Sequence, residues 1–315
     1  MKYFILIIVL SVTFAEHINT TEDTEKKALR EGIINVHGKP HMELTVIDGV
    51  NRPHHLSYYK PRIVSLFQVV YFSYNVGQQN ESTPTIGYTV EPGNPTAKIH
   101  KISTVKNGFA TAIDYANDII YLGGSEGIYT NKICALTTRV GSLLGGLSEP
   151  YLFIPNRNIW DLFFKDNLYF IEFPSRSLYK VSSNSNQVEL QSQIHEKLYQ
   201  FVIDGDGDTF LSNKSGLFMI RKDTNNRIHI KGAKVFRAFK VSRKGVAYFC
   251  GKNKIYVADK EKESLVKIAS IKNITGLTFD YDNNMYFSDP HRIAKLLPNN
   301  YTSSVEHKTP NGTSK

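Results

Sequence analysis

The 315-residue sequence predicts an all-β fold, a six-bladed β-propeller of four-stranded blades, on three observations. First, a short β-branched and aromatic strand recurs six times: Tyr71 in VVYFSY, Tyr121 in IIYLGG, Tyr169 in NLYFIE, Phe210 in DTFLSN, Tyr248 in VAYFCG and Tyr286 in NMYFSD. Second, these aromatics follow one another at 50, 48, 41, 38 and 38 residues. Third, an alternating strand precedes each of them, another follows, and most units carry a fourth, with Gly, Asn and Asp turns between. Four strands per repeat of this length is the propeller period. A parallel β-helix needs shorter repeats, and a sandwich does not repeat so regularly.

The second unit, Gly108 to Ile133, shows the pattern most plainly: ATAIDY, a turn at Ala116-Asn117-Asp118, IIYL, a glycine-rich break, then IYTNKI. The sixth unit has only three strands, TGLTFDY, NMYFSD and RIAKLL. The segment HMELTVID at His41–Asp48 has no other partner, so Met42–Ile47 is expected to pair beside Arg292–Leu297 and close the ring, leaving no open edge. The first unit is the least regular. Tyr58 to Arg62 reads as an intrusion before VVYFSY, and Val76 to Pro84 as a polar insertion.

Around this body (41–300) the sequence divides into a signal peptide (1–15), a polar leader (16–40) and a polar tail (301–315). Lys2, the apolar run Tyr3–Phe14 and Ala15 have the charge, length and small residue of a cleaved secretory signal, and the run is shorter than the roughly 20 residues a membrane helix needs. Secretion makes the N-x-[ST] sequons relevant, with glycosylation expected at Asn80, Asn213, Asn273 and Asn300. Cys134 and Cys250 fall three repeats apart and match no metal spacing, so both read as small buried hydrophobes. The net charge of +9 is scattered in runs no longer than two, which fits a solvated basic surface rather than nucleic-acid binding.

Several patterns invite chemistry. Gly123-Gly124-Ser125-Glu126-Gly127 matches the G-x-S-x-G nucleophile elbow, but a strand follows where that motif needs a helix, so a hairpin turn is expected. Asp204-Gly205-Asp206-Gly207-Asp208 resembles a calcium loop, yet position twelve is Ser215 and the flanks are strands, so an acidic hairpin turn is expected. Glu172, Asn213 and Asp289 share one register, three residues past the blade aromatic, where they could hold calcium as in metal-dependent lactonases on six blades. Gly124, Tyr74 and Gly251 fill the other three places and argue against it. His37, His41, His54 and His55 read as solvated rather than as ligands.

The segments that lead into the six first strands converge around a propeller's channel. They supply Phe109, Trp160, Tyr199 and Phe236 as aromatic walls and Arg52, His54 and Arg237 as cationic groups. That set suits a flat, anionic, aromatic small molecule held by stacking and charge-assisted hydrogen bonds.

Over Asp48 to Leu297 the chain resembles the ommochrome-binding proteins of moths and butterflies. The resemblance rests on GVNRPHHL, KNGFAT followed by YLGGSEGIY, NIWDLFFKDNLYFIEFPSRSLY and DTFLSNKSGLF. It implies a secreted haemolymph carrier, not an enzyme, without a cofactor but with a bound ommochrome, a planar, acidic, tryptophan-derived pigment. The rival expectations are a calcium-dependent lactonase-type hydrolase and a protein-interaction propeller. No nucleic-acid or membrane partner is expected.

Overall fold

The computed structural model describes residues 33–61, 68–77, 81–95, 97–133, 149–182, 186–224 and 226–299. The signal peptide, most of the leader, the tail, Cys134 and the sequons at Asn19, Asn80, Asn300 and Asn311 lie outside them. Within them the structure is all-β and forms six antiparallel sheets arranged as a ring. Five of the sheets run first strand to fourth in chain order; the sixth takes its first three strands from the end of the described chain and its outer two from the start. The six first strands are His54–Tyr59, Ala110–Asp114, Ile159–Lys165, Gln200–Ile203, Ala238–Val241 and Gly276–Phe279; each touches the first strands of its two neighbours, so together they line the central channel.

The six recurring aromatics all fall on the second strands, as the spacing predicts. Tyr71, Phe210 and Tyr286 are essentially fully buried. The apolar core follows from this repetition. It is divided into six clusters, and each contains residues from two adjacent blades, for example Tyr71, Ile86, Ile113 and Tyr129 between blades 1 and 2, or Phe210, Met219, Phe239 and Phe249 between blades 4 and 5. A single sheet leaves both faces apolar, so stacking around the ring is what buries them. Each large side chain so removed from water contributes roughly 1.5–3 kcal/mol.

Ring closure occurs where the sequence places it. Lys39–Ile47 runs antiparallel to Ile293–Pro298, with Met42 opposite Leu297 and Leu44 opposite Lys295. Arg292 fastens the closing strand by pairing with Glu43, by donating to Thr45 Oγ1 at 2.9 Å and by bonding Asp289 at 3.0 Å.

Three features depart from the expectation. The closing strand folds back through His37 and Gly38, both at positive φ as in a two-residue primed hairpin, onto a further strand Ile33–Val36. The stretch read as a leader to residue 40 therefore joins the sheet from Ile33; the alternating apolar Ile34 and Val36 pack on the core between blades 5 and 6. Tyr58 and Tyr59 are no intrusion: they end the first strand of blade 1 and are 2% and 1% exposed. The fourth strand of blade 2, Tyr151–Pro155, lies far along the chain from the third, Gly127–Lys132, and pairs with it through an irregular register that sequence spacing did not reveal.

Candidate functional site

The upper face of the ring, where the first strands begin, carries a continuous aromatic arc. His54 lies 5.0 Å from Phe109, Phe109 lies 5.3 Å from Trp160, and Trp160 stacks on Phe173 at 6.1 Å. The Trp160 indole N–H donates to the Tyr199 carbonyl at 3.0 Å, which ties blade 3 to blade 4. Register irregularities at the start of two first strands aim these groups, one between His54 and Ser57 and one between Ile159 and Asp161. An extra residue in one strand of a pair bends it and redirects side chains.

Arg176, from the hairpin between Asn167–Glu172 and Leu178–Val181, lies over this arc. Its guanidinium carbon is 3.5 Å from the Trp160 ring centre and 5.4 Å from those of Phe173 and Tyr199. Burial holds its pKa below the ordinary arginine value, and its Nη1 is buried with no hydrogen-bond partner among the described residues. His54 Nε2 is in the same condition. Two unpaired polar atoms at one aromatic arc are unusual, because buried polar groups are nearly always bonded.

Of the seven residues predicted to contact a ligand, the structure brings His54, Phe109, Trp160 and Tyr199 into one arc. His54 is not the cation expected of it: burial, then His55 and Arg52, push its pKa down to about 3, so the ring is neutral near pH 7. Phe236 is drawn into the core against Phe239 and Phe249 and is only 9% exposed, so it presents no wall. Arg52 is exposed, and Arg237 donates to the Ile274 carbonyl at 3.2 Å. His55, read from the sequence as solvated, instead pairs with Asp161, and Phe173 and Arg176 were not singled out. Arg176 sits in the turn PSRS, where no periodicity marks it.

Below the arc the channel narrows to a polar waist. His55 pairs with Asp161 at 3.4 Å, Ser57 Oγ and Thr111 Oγ1 lie 2.8 Å apart, and the Lys240 ammonium donates across the channel to Ser57 Oγ at 3.2 Å. A cleft of about 40 Å³ adjoins these groups. Toward the lower face it gives way to a cavity of about 280 Å³ lined by residues of all six first strands or the turns that end them. Tightness there is set partly by Gly205 and Gly245, whose turns lie back to back; a Cβ on either would come within 2.8 Å of the other's Cα.

The calcium-like motifs resolve into local structure. Asp204 Oδ1 accepts the N–H groups of Asp206 and Asp208, the turn geometry expected of this segment. The Lys260 ammonium reaches all three carboxylates, at 2.6, 2.8 and 2.5 Å, and so stands where a cation would. Glu172 pairs with Arg157 at 2.9 Å, Asp289 with Arg292, and Asn213 Oδ1 accepts from Ser215 N at 2.7 Å. Each is occupied within its own blade. Gly124 N donates to Gly127 O and Ser125 Oγ to Lys106 O, so the G-x-S-x-G string is a hairpin turn. Cys250 is a free, buried thiol whose pKa burial raises.

The ring, its polar waist and its aromatic upper rim define a six-bladed β-propeller with a channel sized for a small molecule. No family model matches the sequence. The chain resembles the ommochrome-binding protein of Manduca sexta, with 28% identity over 289 residues that span 90% of this chain and 95% of that one. Among solved structures it superposes on a gluconolactonase of Xanthomonas campestris with a TM-score of 0.62 at 12% identity, covering 86% of this chain and 96% of that one. It superposes on a luciferin-regenerating enzyme with a TM-score of 0.55 at 12% identity, covering 82% and 95%. At such identities the structural likeness concerns the fold.

Proposed function

We propose that this protein is a secreted carrier of an ommochrome-type pigment, a planar, acidic, tryptophan-derived molecule, which it binds without transforming it. The observation that carries the reading is the similarity to ommochrome-binding protein along nearly the whole of both chains. The upper rim supports it: Phe109, Trp160 and Tyr199 offer ring faces and edges, and Arg176 brings a guanidinium with an unused donor to the same place. A planar acid stacks on such an arc while its carboxylate takes the free N–H. Secretion into haemolymph from an insect cell, with sugar on the exposed Asn273, belongs to the same reading; Asn213, also expected to carry sugar, is only 7% exposed and is not a site for it.

The test is optical. Protein isolated from its native fluid carries a chromophore absorbing in the visible, and Trp160→Ala reduces that absorbance per mole of protein. A colourless preparation that binds calcium and opens lactones would establish the hydrolase instead.

A further inference from the structure

The lower-face cavity has the chemistry of a separate binding site, at the opposite mouth from Trp160. Its walls include Ile113, Leu162, Phe164, Ile203 and Phe279, and its charged groups are Lys165, Lys240, Arg243 and Asp204. The one carboxylate is already satisfied. Asp204 Oδ2 pairs with Lys260 at 2.6 Å, its Oδ1 accepts two backbone N–H groups, and its carbonyl accepts from Lys165.

None of the three cations has a carboxylate partner among the described residues; Lys165 is engaged by the Asp204 carbonyl, which leaves Arg243 and Lys240. Arg243 lies flat between rings, 3.4 Å from the centre of Tyr115 and 4.3 Å from that of Tyr281. Its Nη2 is buried with no hydrogen-bond partner among the described residues. Stacking of this kind fixes the planar fork in advance, so little freedom remains to be lost on binding a carboxylate. Lys240 Nζ has only the Ser57 hydroxyl, at 3.2 Å. The Tyr115 hydroxyl is spent on the Tyr58 carbonyl, which holds the ring under Arg243 in place.

We infer that this cavity binds a small organic carboxylate, with the carboxylate bridging Arg243 and Lys240 and the hydrocarbon part against the apolar walls. A space of about 280 Å³ is below the range of drug-sized pockets and suits a single-ring acid. The inference does not depend on the pigment reading, since it uses no residue of the upper rim.

The experiment is calorimetric titration of the purified, pigment-free full chain with benzoate at pH 7, using benzamide as the neutral isostere. The expected result is saturable benzoate binding at one site, at least tenfold tighter than benzamide, weakened at least tenfold by Arg243→Met and by Lys240→Met. Arg243→Lys, which keeps the charge and part of the stacking, should bind benzoate more tightly than Arg243→Met. If Arg243→Met fails to fold, Lys240→Met decides alone. Absence of benzoate binding to the wild-type chain, equal affinity for benzamide, or binding that survives the variants unchanged would overturn the assignment.

Discussion

The Arg176 guanidinium lies 3.5 Å above the indole of Trp160, the only tryptophan in the chain. The pair joins the hairpin of blade 3 to the channel rim and places a charge where the aromatic arc is most accessible, beside Tyr199 at 41% exposure and Phe173 at 42%. Replacing Arg176 by Met should keep the fold, since a partly desolvated cation–π contact is worth about 0.5–2 kcal/mol. It should weaken pigment binding by about tenfold, or ~1.4 kcal/mol. Quenching of the Trp160 fluorescence during pigment titration measures both; unchanged affinity would remove Arg176 from the site.

The Lys260 ammonium sits among the Asp204, Asp206 and Asp208 carboxylates, so added calcium or EGTA should leave the melting temperature of the wild-type protein unchanged. Lys260→Met should destabilise it by about 2 kcal/mol, less than for a fully buried pair because Asp206 is exposed. The acid limb follows from Asp208. Burial tends to raise its pKa, but the bonds from Lys260 and from the Lys222 N–H outweigh this and hold it below the ordinary carboxylate value. The unfolded chain therefore takes up this proton first. The stabilisation is complete above the unfolded pKa of about 4 and is lost as pH falls through the lower folded value. Thermal melts from pH 6 to 2 should show a smaller acid loss in Lys260→Met than in the wild type.

Lys240 behaves in the opposite sense. Burial, with a smaller contribution from Arg243, pushes its amine down to about 8, and Asp161 opposes the shift. Around it stand Asp161 with its partner His55, Arg243, and the cavity's Lys165 and Asp204. Between that value and an unfolded pKa of about 10.4 the unfolded chain holds more protons, so this group makes stability rise with pH across the interval. Below pH 8 the folded protein bears the full cost of the buried charge. Lys240→Met should therefore be more stable than the wild type at pH 7, by on the order of 1–3 kcal/mol. The difference should close by pH 10. Denaturant unfolding at both pH values checks it.

Ring closure should be essential. A chain lacking residues 1–47 leaves Ile293–Pro298 as an open edge and, by removing Val36 and Val46, uncovers apolar groups of the clusters they belong to, such as Leu296 and Ile293. Such a chain should melt well below the full-length protein and self-associate on gel filtration. A monomer with unaltered melting would show that the closing strand contributes little.

Much of this fold was legible because repetition multiplies weak signals. One Tyr in a β-branched run means little, but six at 38–50 residue spacing, with an orphan strand at the start and a missing one at the end, fix a ring and its closure. What failed were positions without repetition. The strand Ile33–Val36 has no counterpart in other blades, and Tyr151–Pro155 lies too far from its partner for spacing to connect them. The site was legible only as a region. Register placed Phe109, Trp160 and Tyr199 at the rim, whereas the burial of Phe236 and the neutrality of His54 arise from neighbours contributed by other segments. Lys240 was the overlooked clue: a lysine within a first strand must face either an apolar interface or the channel.

Pigment binding is read most directly by gel filtration of pigment-free protein mixed with a purified ommochrome, monitored at visible wavelengths. Pigment should elute with the protein at a saturating ratio of one per chain, and Trp160→Ala should shift it toward the free-pigment volume. Visible absorbance confined to the free-pigment volume, with protein that is folded by circular dichroism, would contradict pigment binding.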